Sequence, residues 1–214
     1  MMRLYKILSV LLNYPQQELR DALPEIQTVL QAWPKAHETL QPLLAYLSED
    51  TLIKVQENYV ATFDRTPSHS LHLFEHVHGE SRDRGQAMVD LLQEYRKHGY
   101  DLASAELPDH VPVFLEFLSE VPAETAEHLL DEAIHVLAAI GDRLTRKESP
   151  YGTIFSVLRS LTMVEPLPQI EPPVRDMDEA METFGVGADG VEPLLRPSMQ
   201  QEKTVRFYPR SEIH

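Results

Sequence analysis

Cysteine is missing altogether from the 214 residues. Its absence removes disulfides, thiolate nucleophiles and cysteine-held zinc or Fe–S clusters, so any metal would fall to histidine and carboxylate ligands. Basic residues are scarce, 19 Lys and Arg against 34 Asp and Glu, for a formal charge of −15. A field of that sign repels phosphate backbones and anionic lipid, which argues against nucleic acid as a partner and against membrane insertion. Two readings stay open: a surface that serves solubility, and one that attracts a basic or amphipathic polypeptide. No apolar run approaches the roughly 18 residues of a membrane span. With 43% apolar and 25% charged residues, the chain can bury one sizeable core, and collagen, disulfide mini-proteins and full disorder are excluded.

What the chain does have is helical periodicity. MMRLYKILSVLLNYPQQ sets Leu4, Ile7, Leu8, Leu11 and Leu12 on one face, with Ser9 and Asn13 interleaved and no A-x-A-like cleavage site before Glu18 and Asp21. That pattern reads as a core helix rather than a signal peptide, so a soluble, cytoplasmic protein is expected. Leu19, Leu23, Ile26, Leu30 and Trp33 form a second face, with Pro24 expected at a joint or first turn. Leu40, Leu43, Leu44 and Leu47 form a third. A fourth is expected from a cap near Ser48 through Leu52, Val55, Tyr59 and Phe63 to the RTPSHS loop. A short helix from Leu71 to Val77 is closed by Gly79. Ser81 is expected to cap a longer helix that buries Met88, Leu91, Leu92 and Tyr95 and stops at Gly99.

Val111, Phe114, Leu115 and Leu118 share a face behind Asp109, the expected N-cap. Residues 123 to 147 keep Ala126, Leu130, Ala133, Leu137, Ile140 and Leu144 at alternating steps of four and three, while Arg143, Arg146 and Lys147 complement the C-terminal dipole. Ser149-Pro150 opens a last helix with Ile154, Phe155, Leu158 and Leu161. The expected fold is all-α, a single helical domain over residues 1 to 163. Periodicity stops in VEPLPQIEPPVRD, and residues 164 to 214 read as a mobile, acidic tail punctuated by Pro and Gly, with one helical pattern from Met177 to Phe184.

Several motifs invite a chemical reading. Gly185-Val186-Gly187-Ala188-Asp189-Gly190 spells G-x-G-x-x-G, but it lacks the strand before and helix after that pyrophosphate binding needs. His72-Leu73-Phe74-Glu75-His76 matches H-x-x-E-H, in which two histidines on one helical face hold zinc and the glutamate activates water. That reading would make the chain a His/Glu metal-dependent hydrolase. The helix is only about two turns long, however, and no third ligand is singled out. With Leu73 and Val77 marking an apolar side, the three polar residues serve equally as a solvated face or a partner contact. Gly79-Glu80-Ser81-Arg82-Asp83 lacks the second glycine of G-x-S-x-G.

Two segments remain unusual. LFEHVHGESRDRGQAMVD crowds acids, bases and histidines at a helix junction that Ser81, Asp83, Arg84 and Gly85 could brace. In Leu107-Pro108-Asp109-His110, an Asp-His pair at a helix start can orient the imidazole toward a cleft as a pH-sensitive donor, or simply cap a turn.

YVATFDR (Tyr59 to Arg65), LFEHVHGESRDRGQAMVDL (Leu73 to Leu91) and ELPDHVPVFLEFLS (Glu106 to Ser119) occur in that order in an all-helical chain. Together they resemble the NarJ family, the respiratory nitrate reductase delta subunits or molybdenum cofactor assembly chaperones, within the TorD-like redox-enzyme maturation chaperones. The resemblance covers residues 1 to 163 and implies a TorD-like helical bundle that is not an enzyme and holds no resident cofactor or metal. It further implies that the chain binds the N-terminal region of the apo catalytic (alpha) subunit of membrane-bound respiratory nitrate reductase. That subunit would be held for insertion of molybdenum cofactor and an Fe–S cluster before membrane docking, with molybdenum cofactor delivery proteins as further partners. Carried over by position, the resemblance assigns peptide binding to Tyr59 and Phe63 as apolar groove wall, to Phe74, Glu75, His76 and Arg84, and to Pro108, Asp109 and His110. The wider family's turn reads E-P-x-D-H, whereas here Glu106-Leu107-Pro108-Asp109-His110 brings the proline one residue closer to the aspartate.

Overall fold

A computed structural model describes residues 2–79, 81–102 and 106–167. The helical pattern at Met177 to Phe184, the glycine motif at 185–190 and nearly all of the expected tail therefore lie outside the described residues. Among those described, the regular structure is helical throughout: α1 (Met2–Leu12), α2 (Gln17–Leu30), α3 (Pro34–Glu49), α4 (Leu52–Tyr59), α5 (Leu73–His78), α6 (Arg82–Lys97), α7 (Val111–Glu120), α8 (Ala123–Arg146) and α9 (Gly152–Ser160). No helix is long and apolar enough to cross a membrane.

The periodic leucines place these helices. In α1, Leu4, Leu8, Leu11 and Leu12 are wholly buried, and the helix lies along α7. Ser9, also buried, donates its hydroxyl to the Pro112 carbonyl at 2.7 Å and ties the two together. In α3, Leu40, Leu43, Leu44 and Leu47 face inward toward α2 and α9, while Leu130, Leu137, Ile140 and Leu144 of α8 pack on Ile154, Phe155 and Leu158 of α9. Gly141 permits that last approach, because a Cβ there would stand 2.5 Å from the Phe155 Cβ.

Three features differ from expectation. Pro24 sits inside α2 and not at a joint. It is exposed, so the Arg20 carbonyl that loses its helical partner is on the side where water can reach it. Ser48 belongs to α3, bonding back to the Ala45 carbonyl, and Thr51 caps α4 by accepting from the Lys54 amide. Only Tyr95 of the expected inward face of α6 is buried; Met88, Leu91 and Leu92 are half-buried. The reason is position: α6 packs on α5 and reaches the rest of the core chiefly through Tyr95, whose ring lies 4.3 Å from that of Phe117.

Candidate functional site

The sequence expects Asp109 to cap the helix that follows it, but His110 holds the N-cap position of α7 and makes no side-chain cap. Asp109 points the other way. Its side chain is 0% exposed, Oδ2 accepts from the Phe74 amide at 3.1 Å, and Oδ1 lies 3.2 Å from His72 Nδ1. The Asp109 carbonyl accepts from the Leu73 amide, and the Val111 amide donates to the Leu71 carbonyl, an isolated antiparallel bridge between His72 and His110. The first turn of α5, which has no cap of its own, is thus capped by a distant turn. Tyr95 supports that turn from below by donating its hydroxyl to the Pro108 carbonyl at 2.7 Å.

The polar residues of α5 are not a solvated face, and its expected apolar side does not hold either, since Val77 is exposed. Glu75 accepts a short hydrogen bond from the Ser70 hydroxyl and pairs with Arg84 of α6 at 3.0 Å. His76 Nε2 donates to the Ser70 carbonyl at 2.8 Å, and Arg143 of α8, which also donates to the Ser68 carbonyl, meets Nδ1 at 3.3 Å. With Nε2 carrying the proton and Nδ1 facing a guanidinium, His76 has no lone pair left for zinc, which removes the geometry that a hydrolase on H-x-x-E-H requires.

The two histidines across the bridge differ electrostatically. Their rings are 5.2 Å apart. The hydrogen bond to Asp109 pushes the pKa of His72 above its ordinary value, against the effect of burial. Burial, followed by the nearby His72 charge, pushes that of His110 below it. His110 Nδ1 and Arg84 Nε are buried without a hydrogen bond among the described residues.

The structure therefore brings Phe74, Glu75, His76, Arg84, Pro108, Asp109 and His110 into one cluster. Tyr59 and Phe63 do not form the wall of an open groove. Each is 5% exposed; their rings pack on each other and on Tyr151, and the Tyr59 hydroxyl donates to the Leu12 carbonyl. A π-helical turn, Val60–Asp64, follows α4, and both rings are core residues. Sequence reasoning missed Arg143, read there only as a dipole partner. The available signal was its register, three residues past Ile140 on the inward side of α8.

The nitrate reductase delta subunit family matches residues 15–156. NarJ of Escherichia coli K12, named as a nitrate reductase molybdenum cofactor assembly chaperone, is 37% identical over 211 residues, covering 94% of this chain and 84% of its own. NarW of the same organism, named for the same assembly role, is 38% identical over 160 residues, 75% of this chain and 68% of its own. A solved structure from Archaeoglobus fulgidus, described as a redox enzyme maturation protein, shares the fold with a TM-score of 0.57 at 21% identity, over 75% of this chain and 92% of that one. Both of these Escherichia coli relatives are named as chaperones. By the extent of the family match and the identity to NarJ along almost the whole chain, this protein belongs to the nitrate reductase delta subunit family.

Proposed function

We propose that this chain is an assembly chaperone of a respiratory nitrate reductase. It binds the N-terminal region of the apo catalytic subunit in the cytoplasm and holds it until molybdenum cofactor and an Fe–S cluster are in place, before membrane docking. The observation that carries this reading is the 37% identity, along almost the whole chain, to a protein named for that assembly. The geometry adds support. Arg84, which pairs with Glu75, and His110, whose Nδ1 lies 3.7 Å from a Glu106 oxygen, each keep a ring or guanidinium nitrogen without a hydrogen bond among the described residues, a donor or acceptor that a peptide backbone can use. Half-buried Phe74 at the start of α5 offers an apolar contact, while the acidic chain suits a peptide with some basic charge. Asp109, with both carboxylate oxygens engaged, acts as a positioning residue for this surface.

The test is a pull-down from cells respiring nitrate, followed by calorimetric titration of the N-terminal peptide of whichever catalytic subunit is recovered. Arg84→Ala and His110→Ala are each expected to weaken that peptide about tenfold, in line with loss of one hydrogen-bonding partner. Failure to recover an apo molybdoenzyme subunit rejects the reading.

A further inference from the structure

Helix α6 contains a glycine that no contact among the described residues requires. Gly141 in α8 and Gly152 in α9 make room for Phe155 and Thr145, whose atoms would lie 2.5 and 3.0 Å from an added Cβ. At Gly85, apart from the backbone of its own helix, no atom of the described residues comes within 4 Å of that position. A glycine inside a helix weakens it relative to alanine and is kept where another backbone must come close. Gly85 lies on the stripe Arg82, Gly85, Val89, Leu92, Arg96, whose steps of three and four put all five on one face. Val89 is 47% exposed, and Leu92 is half-buried without joining the core. The middle of the stripe is therefore apolar and bare, with a guanidinium at each end, about 21 Å apart at 1.5 Å per residue.

A second copy of the chain is the wrong occupant, because in either orientation it sets guanidinium against guanidinium. We propose that this stripe docks an amphipathic helix of a partner protein, one with small and apolar residues across its middle and carboxylates at both ends. Gly85 lets that helix approach, Val89 and Leu92 supply the apolar contact, and Arg82 and Arg96 meet the carboxylates. Arg96 now pairs with Asp101, but both side chains are more than half exposed, and such a pair is weak enough to exchange. Of the acids farther along the helix, Asp90 accepts from Gln86, and Glu94 pairs with Lys97. The inference goes beyond the assembly role and does not depend on it, because its ligand carries the opposite charge from the basic peptide suggested above.

The probe is an 18-residue synthetic helix with a Leu/Ala seam and glutamates at both ends, titrated against the full chain by fluorescence polarisation beside a twin with lysines at its ends. The glutamate peptide is expected to bind at least tenfold more tightly, and the double variant Arg82→Glu/Arg96→Glu to reverse the preference. Gly85→Leu is expected to weaken binding at least tenfold while raising the thermal midpoint by about 2–4 °C, because the space around it is empty. No binding of the glutamate peptide, equal binding of the twins, unchanged affinity in Gly85→Leu, or a lowered midpoint in that variant overturns the proposal.

Discussion

The carboxylate of Asp109 caps the first turn of a helix 35 positions earlier in the chain, through the Phe74 amide at 3.1 Å. One fully buried side chain thereby holds the 107–110 turn, the start of α5 and the ring of His72 in a fixed relation. That relation makes the polar cluster a built surface and not a set of loose loop residues.

Removing this cap leaves a buried amide and an imidazole without their acceptor. Asp109→Ala is expected to lower the unfolding free energy by about 2–3 kcal/mol, whereas Asp109→Asn, which keeps one oxygen for the Phe74 amide, loses less. Urea denaturation of both variants measures the difference. Equal losses would show that the charge, and not the cap, dominates.

The two bridge histidines make stability depend on pH in opposite senses. His72, with its folded pKa raised by Asp109, contributes stability that is complete below the unfolded value near 6.5 and is lost as pH climbs through the folded value. His110, with its folded pKa lowered by burial, is favoured neutral, so stability falls as pH drops below 6.5 toward its folded value. The pair should therefore give a maximum near pH 6.5. His72→Gln should flatten the alkaline side and His110→Gln the acid side, and NMR titration of the ring protons should place the two midpoints on either side of 6.5.

Arg143 is 9% exposed and reaches from α8 to the Ser68 carbonyl and His76. Arg143→Met keeps much of the packing volume but leaves that carbonyl unanswered, at an expected cost of about 1–3 kcal/mol. Amide exchange in α5 should accelerate in the variant more than exchange in α1 and α7. A uniform change would argue that Arg143 serves the core alone.

Two glycine-to-alanine changes should act with opposite signs. Gly141→Ala forces a methyl against the Phe155 Cβ and should destabilise by about 1–3 kcal/mol. Gly85→Ala meets nothing and should stabilise α6 by about 0.5–1 kcal/mol. Thermal melts of the two single variants check both.

The sequence by itself determined the helical class, nearly every helix, and the inward residues of α1, α3 and α8. A 3.6-residue periodicity of leucines is a local property that survives any arrangement of the helices. The family was legible too, because its three motifs are contiguous stretches. Only the tertiary structure decided which way Asp109 turns, that Tyr59 and Phe63 are core, that His76 is engaged at both ring nitrogens, and that Arg143 is a member of the cluster. Each of these turns on a partner far away in sequence: Asp109 finds the Phe74 amide, His76 finds Arg143 of α8, and the two rings find Tyr151. Spacing along the chain says which residues share a face, but the partner across from that face is set by how the helices pack.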